Sequence, residues 1–571
     1  MNIITNIADQ NNNDLQYVGI RAEDYSKWER RAPITPQDME EIQKRNPYVR
    51  FIVQSSRKRI FQDKEYEAVG AQISDDLSKC QLILGIKRPQ NEQDILPDRS
   101  YIFFSHVIKT QAQNMGLLDT LLKKKIRFFD IECMHDERGK RVITFGKQGG
   151  IAATIDFLAG MGQFILQKGY STPLLNIAYS YKYFNTVSAF DHLQKVGQEI
   201  FRKKLPQDIC PLIIGITGKG GVAEGTWEVL GNLPIKIVDP DQLQYLVQDK
   251  NNVEHRTTIY VTHIDFKHQV KKIKTKSDKK HVFNNEDYKE NPEKYEPIFA
   301  QKYLPYISVL YHTQYWDNRY PRLIENRQLT QLSKENKIRL LGICDISCDL
   351  KGAIEVLDTY TNPDKPFFIY DIITQYKEPQ IKYKENNILY MGFDSQPSLL
   401  PYDSSIQCSN VLKKYIRHLI QVPYNAPFNK QNLPQALKNG MITLNGELTE
   451  DYKFIDLTRK RKAILGMPTQ EPKMLQNVDI KMSGHLFDTG AINDVVVLLG
   501  QLKTKFVYLE SDVGGKVSLI SYVIIRINSH SVDKLNAAKI GIEKICQKKK
   551  IQFDIIKDIK VEEQSQPQPK L

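Results

Sequence analysis

Between residue 17 and about residue 204, short apolar runs alternate with amphipathic stretches. That alternation is the pattern of strands buried on both faces and joined by helices. The runs 17–22, 50–55, 82–87, 101–106 and 127–132 predict strands of a parallel sheet. Residues 113–124, with Met115, Leu117, Leu118, Leu121 and Leu122 on one face, predict a helix between two of them. A stretch of small residues, 149–166, predicts a helix that bridges to a second α/β unit, running from Leu212 to about Ser347. The strand-like runs 367–374 and 388–393 are expected to rejoin the first unit. Beyond about Pro472 the pattern changes to strand 479–485, helix 491–502, strands 505–510 and 517–527, helix 531–548 and strand 551–559. That β-α-β-β-α-β order predicts a ferredoxin-like module. The expected fold class is therefore α/β: two Rossmann-like, doubly wound domains with a cleft between them, plus a small C-terminal α+β ferredoxin-like module. The expected boundaries are 17–205 with 366–465 for the first domain, 206–365 for the second and 476–560 for the module. A flexible 1–16 and a disordered 561–571 flank them.

The second unit opens with a specific motif. Pro211-Leu212-Ile213-Ile214-Gly215-Ile216-Thr217 is β-prone, Gly218-Lys219-Gly220-Gly221-Val222-Ala223-Glu224-Gly225 follows, and a helical pattern runs on to Leu233 before a second strand at 235–239. This is the strand–turn–helix–strand context of a dinucleotide fingerprint. Gly218 permits the tight turn, Gly220 lets backbone N–H groups approach a pyrophosphate, and small Ala223 lets the helix pack closely. The helix N-terminus then faces the phosphate charge. Asp239, at the end of the second strand, would by the general rule bind a ribose 2′-hydroxyl and favour NAD.

Composition narrows the partners. The 571 residues are 41% hydrophobic and 26% charged, with a formal net charge of +13. The positive charge is scattered, and its densest run, 267–280, reads as a solvated loop rather than a phosphate-backbone groove. No nucleic-acid partner is expected; a mildly positive field suits anionic small molecules. The seven cysteines show no C-x-x-C spacing, which argues for reduced thiols and no bound metal. No apolar run approaches the roughly 18 residues of a membrane span, so no membrane partner is expected. The first sixteen residues lack a signal peptide's apolar core and carry acids but no arginine.

Titratable groups gather at predicted strand ends, where α/β proteins build sites. Arg31, in Trp28-Glu29-Arg30-Arg31-Ala32-Pro33, suits a bidentate grip on a carboxylate, with a salt-bridged surface loop as the competing reading. Lys87 and His106 end two apolar runs. A half-buried lysine has a lowered pKa, and the two side chains on one cleft would make an acid–base pair. Glu132 and Arg141 follow the next strand, and Asp345 and Asp349 follow the last strand of the nucleotide unit.

In the order and spacing of many segments the chain resembles lysine-ketoglutarate reductase, the N-terminal half of the bifunctional aminoadipic semialdehyde synthases, within the alanine dehydrogenase/transhydrogenase superfamily. The segments are Arg21-Ala22-Glu23-Asp24, Trp28 to Pro33, Leu84-Gly85-Ile86-Lys87-Arg88-Pro89, Phe103-Phe104-Ser105-His106, Asn114 to Asp119, Thr217-Gly218-Lys219-Gly220, Tyr315-Trp316-Asp317, Pro321-Arg322-Leu323 and Cys344-Asp345-Ile346-Ser347. The resemblance implies condensation of L-lysine with 2-oxoglutarate and reduction of the imine by NADPH to saccharopine, with NAD as the alternative cofactor. It implies Lys87 and His106 as the acid–base pair, and Arg31, Glu132 and Arg141 as substrate-binding residues. It implies Gly218, Gly220 and Val222 at the cofactor turn, and Asp349, ahead of Asp345, near the nicotinamide. The end of the chain shortly after the small module leads to the expectation of a monofunctional enzyme that hands saccharopine to a separate dehydrogenase. A homo-oligomer is compatible with this reading. Cytoplasm is the expected compartment, with the mitochondrial matrix as alternative. The competing readings are an NAD-dependent, lysine-forming saccharopine dehydrogenase and a non-catalytic lysine or nucleotide sensor.

Overall fold

The computed structural model describes residues 15–273, 283–465, 476–502, 504–512, 520–529 and 532–558. The N-terminal segment 1–14, residues 274–280 of the lysine-rich run and the tail 561–571, each read from sequence above, lie outside those residues. The chain forms two compact units, Met1–His106 with Thr120–Lys453, and Val107–Asp119 with Phe454–Leu571.

The first sheet of the larger unit begins with β1 (Gln16–Ile20), β2 (Val49–Val53), β3 (Gln72–Ile73), β4 (Leu82–Lys87), β5 (Ser100–Phe104) and β6 (Arg127–Asp130). Every pairing among these six is parallel. A parallel strand covered on both faces needs apolar residues at every position, and Leu82, Ile83, Leu84 and Ile86 of β4 are all buried. The first polar position, Lys87, marks where the strand leaves the core.

The second sheet contains β7 (Leu212–Thr217), β8 (Ile235–Ile237) and β9 (Ile259–Ile264). A separate two-stranded ribbon, β10 (Val270–Lys272) and β11 (Tyr295–Pro297), follows. β12 (Val309–His312), β13 (Gly342–Asp345), β14 (Phe368–Asp371), β15 (Lys377–Glu378) and β16 (Asn387–Met391) complete the sheet. Its order is β15-β14-β16-β13-β12-β7-β9-β8. The chain then returns to the first sheet, where β17 (Met441–Leu444) pairs antiparallel with β6 and β18 (Glu447–Leu448) closes the edge.

These pairings correct the expected domain boundaries. β14 and β16 do not rejoin the first sheet; β16 runs parallel beside β13, and Ile369, Leu389 and Met391 share a core with Leu212 and Ile214. The helices Gly146–Gln167 and Thr186–Lys203 precede residue 205 but bury Phe157, Phe164, Leu193 and Ile200 in that same core. The return begins with helix Pro401–Gln421, whose Cys408, Leu412, Ile416 and Leu419 pack into the first core.

Helix Gly146–Gln167 also corrects the reading that no apolar stretch is long enough to span a membrane. With a mean hydropathy of 1.4 it passes by length and composition, but 89% of that window is buried inside the protein, so it is a core helix. It crosses helix Gly221–Leu230 at very short range. A Cβ on Gly150 would lie 2.0 Å from the Val222 carbonyl oxygen, and one on Gly225 would lie 2.2 Å from the Lys147 oxygen.

The smaller unit runs β19 (Gln476–Gly484), helix Ala491–Gln501, β20 (Lys505–Asp512), β21 (Ser521–Ser529), helix Val532–Lys548 and β22 (Gln552–Asp558). The expected β-α-β-β-α-β succession is present, in an antiparallel sheet ordered β20-β21-β19-β22. Buried and half-exposed positions alternate along β21, so helices cover one face, with Val495, Leu499, Ala538 and Ile542 packed on Val478, Ile480 and Ile525. Within this unit Arg459 grips Asp119 with two bonds of 2.7 and 3.0 Å.

Candidate active site

The turn after β7 is built for close approach. Gly218 has φ +81°, and a Cβ there would lie 2.9 Å from Thr313 Oγ1. Thr313 in turn donates its hydroxyl to the Thr217 carbonyl. At Gly220 the situation is opposite: a Cβ would meet nothing within 4 Å, so protein packing does not require that glycine. Its backbone faces open space at the start of helix Gly221–Leu230, which has no side-chain cap. Among the described residues the N–H groups of Gly221, Val222 and Ala223 find no hydrogen-bond partner. Unpaired donors at a helix N-terminus, with room for a ligand in front, fit a pyrophosphate. They border a cavity of about 1450 Å³ that also reaches Arg141, Asp265, His312 and Asp349, large enough to admit a dinucleotide.

Two of the predicted cofactor residues separate here. Asp349 is on the cavity wall. Asp239 is not: it is exposed and accepts the Asp241 N–H at 2.9 Å to cap a short turn. The cause is strand order, since β8 pairs with β9 and not with β7. Asp345 serves structure, accepting from Tyr390 Oη at 2.8 Å and Cys348 N at 3.1 Å, and burial pushes its carboxyl up to about 7.

Sequence reading missed His312. It is buried at the end of β12, its Nδ1 lies 3.0 Å from Thr217 Oγ1, and its Nε2 has no hydrogen-bond partner among the described residues although the residue lines the cavity. Burial lowers its pKa to about 4, so it stays neutral. A histidine closing an apolar run reads as core; the orphaned Nε2 is visible only in three dimensions.

A second constellation sits where β4, β5 and β6 end. Glu23 accepts the N–H groups of Ile86 and Lys87 at 2.6 and 3.0 Å, and Arg21 Nη1 holds the Lys87 carbonyl at 2.8 Å. Lys87 lies opposite Phe104 in the β4–β5 register, which places it one strand away from the turn carrying His106. Burial lowers the Lys87 pKa, the Arg31 charge adds to that, and Asp394, Glu29 and Glu132 oppose it. Asp394 follows β16, so the ends of both sheets contribute to this field.

His106 has φ +58°, a conformation that a non-glycine residue adopts at a cost. The turn is held by Asp130, which accepts both the N–H and the hydroxyl of Ser105 and also the Glu132 N–H at 2.8 Å. Glu132 then bridges: Oε2 is 2.7 Å from His106 Nδ1, and Oε1 accepts from Arg141 Nη2 at 3.2 Å. Arg31 is committed elsewhere. It donates to Glu29 at 2.7 and 2.6 Å, both residues are buried, and its guanidinium stacks 4.6 Å from the Phe145 ring centre. Burial would raise the Glu29 pKa, but Arg31 and Lys87 hold it below the usual range.

The structure thus bonds His106 and Arg141 through Glu132, places Lys87 in the field of Arg31, Glu29 and Glu132, and sets Gly218, Gly220, Val222 and Asp349 around one cavity. Arg141 belongs to both: its side chain is 48% exposed, lines the cavity and pairs with Glu132. Lys87, His106 and Glu132 are not on the cavity wall.

Residues 19–152 match the family described as alanine dehydrogenase/PNT, N-terminal domain. The chain is similar to the alpha-aminoadipic semialdehyde synthase of Arabidopsis thaliana, with 36% identity over 522 residues, 88% of this chain and 48% of that protein. It is also similar to the mitochondrial protein of that name from Bos taurus, with 33% identity over 458 residues, 78% of this chain and 48% of that protein. The chain therefore spans about half the length of these curated relatives. Among solved structures an L-alanine dehydrogenase aligns over 78% of this chain and 99% of its own, at 13% identity and a TM-score of 0.47.

Proposed function

We propose that this chain, which carries an alanine dehydrogenase/PNT N-terminal domain and is similar to the aminoadipic semialdehyde synthases, joins L-lysine to 2-oxoglutarate and reduces the resulting imine to saccharopine. The lysine ε-amine attacks the keto carbon, the carbinolamine loses water, and the imine carbon gains a hydride. A reduced nicotinamide nucleotide supplies that hydride when bound at the glycine turn; N–H groups 221–223 are the donors for its pyrophosphate.

The protein's share is orientation and proton traffic. Lys87 serves as the proton carrier of addition and dehydration, because its depressed pKa brings a usable neutral fraction closer to working pH. His106 is the second carrier, held in place through Nδ1 by Glu132. Arg141, half exposed and on the cavity wall, is better placed than Arg31 to take a substrate carboxylate, since Arg31 already serves Glu29. The observation that supports the reading most is the Glu132 bridge, which links the Lys87–His106 network to a residue of the cofactor cavity. The bovine relative's mitochondrial name favours the matrix alternative over the cytoplasm. The experiment is incubation of the full chain with lysine, 2-oxoglutarate and reduced nucleotide, followed by mass spectrometry. Saccharopine is the expected product, and its absence with both NADH and NADPH refutes the proposal.

A further inference from the structure

We infer that Asp265 is the residue that selects the cofactor, and that it selects NAD(H) over NADP(H), against the NADPH that the family resemblance implies. This deepens the reading above and rests on it for the reaction. In a nucleotide-binding parallel sheet, the ribose next to the glycine turn is reached from the strand paired with the turn's own strand. A carboxylate at the end of that strand accepts from the 2′-hydroxyl.

Here that strand is β9. Thr217 lies opposite Ile264, so the next residue, Asp265, sits beside Gly218. His263 ties the two segments together, its Nε2–H donating to the Gly218 carbonyl at 2.9 Å. The alternative acid, Asp239, ends β8, two strand spacings or about 10 Å from β7, and its carboxylate is used in capping.

The Asp265 carboxylate faces the ligand space. It sits in a capping box with His268 at the start of the short helix that follows, where the Asp265 carbonyl also accepts the His268 N–H at 2.8 Å. Unlike Asp239, it also lines the cavity, where it contacts Lys219 Nζ at 2.8 Å and His263 Nδ1 at 3.7 Å. A 2′-hydroxyl donates to that carboxylate without disturbing Lys219. A 2′-phosphate brings a second anion against it and has to break the Lys219 pair first. Lys219 and Lys267, both on the wall, are the cations a phosphate would seek, so removal of the Asp265 charge should release Lys219 to bind one.

The test is equilibrium titration of the full chain with NADH and with NADPH, followed by nucleotide fluorescence, for the wild type, Asp265→Ser, Asp265→Asn and the double variant Asp265→Ser/Lys219→Ala. The wild type is expected to bind NADH at least tenfold more tightly. Either single substitution should shift the affinity ratio at least tenfold toward NADPH, and the double variant should lose the gained NADPH affinity. Equal or tighter NADPH binding by the wild type overturns the inference, as does an unchanged ratio in a folded single variant. Binding of neither nucleotide overturns it as well. If the ratio holds but lysine and 2-oxoglutarate give no turnover, the functional proposal fails while the role of Asp265 stands.

Discussion

Two adjacent glycines in helix Gly146–Gln167 should respond to alanine in opposite ways. At Gly149 a Cβ would sit 3.4 Å from Pro397 Cγ, an ordinary contact. There the substitution collects the helix-propensity advantage of alanine over glycine, about 1 kcal/mol. At Gly150 the same Cβ would lie 2.0 Å from the Val222 carbonyl oxygen, and it meets backbone, which cannot rotate away. That 2.0 Å gap has to open to roughly 3.4 Å, which separates the helix from Gly221–Leu230. Overpacking of this kind costs about 1–3 kcal/mol or more and outweighs the propensity gain. The propensity gain is common to both sites, so the two single variants should differ by the overpacking cost, about 1–3 kcal/mol. Melting curves followed by intrinsic fluorescence should place Gly149→Ala at or above the wild type and Gly150→Ala several degrees below both. Because Val222 opens the helix that faces the cofactor cavity, Gly150→Ala should also weaken nucleotide binding several-fold, while Gly149→Ala leaves it close to the wild-type value. A Gly150→Ala protein as stable as Gly149→Ala would refute the reasoning that the helix crossing positions the pyrophosphate donors.

Lys87→Met should lower kcat by roughly 10²–10⁴-fold with nucleotide affinity within about twofold of wild type; full retained activity would remove Lys87 from the mechanism. The sign of its pH effect is fixed. Burial lowers the folded-state pKa of Lys87, so the penalty of the buried charge is fully present below that value and is relieved as pH rises toward the ordinary value of about 10.4. Wild-type stability relative to Lys87→Met should therefore increase over that interval in urea titrations, and a flat or falling difference would contradict it. Asp130→Asn should cost about 1–3 kcal/mol and reduce kcat, because the amide offers hydrogens to the donors of Ser105 and Glu132; an unaltered melting point would show that Asp130 does not hold the His106 turn.

The sequence revealed what local pattern encodes. Leu82–Lys87 is apolar until its last residue, and that break is where β4 ends, with Lys87 still paired to Phe104. The glycine turn was equally legible, since a strand, Gly218 and a capless helix leave few other geometries. Strand order was not. Whether β8 or β9 lies beside β7 depends on long crossovers, so the spacing rule pointed to Asp239 while the register brings Asp265 to Gly218. The domain boundary was hidden because Gly146–Gln167 is buried nearly all round and offers no polar face to show which sheet it serves. The close contacts at Gly150 and Gly225 and the orphaned Nε2 of His312 arise between segments distant in sequence, and no local signal announces them.

The claim that the Lys87–His106 network and the glycine-turn cavity act as one site is tested most directly by following the hydride. The full chain is supplied with lysine, 2-oxoglutarate and nucleotide deuterated at the transferring C4 position, and the product is analysed by mass spectrometry and NMR. One deuteron on the former keto carbon of 2-oxoglutarate, with transfer lost in Lys87→Met, is the predicted result. Nucleotide oxidation without deuterium in a lysine–glutarate adduct, or equal oxidation when lysine is omitted, would contradict it.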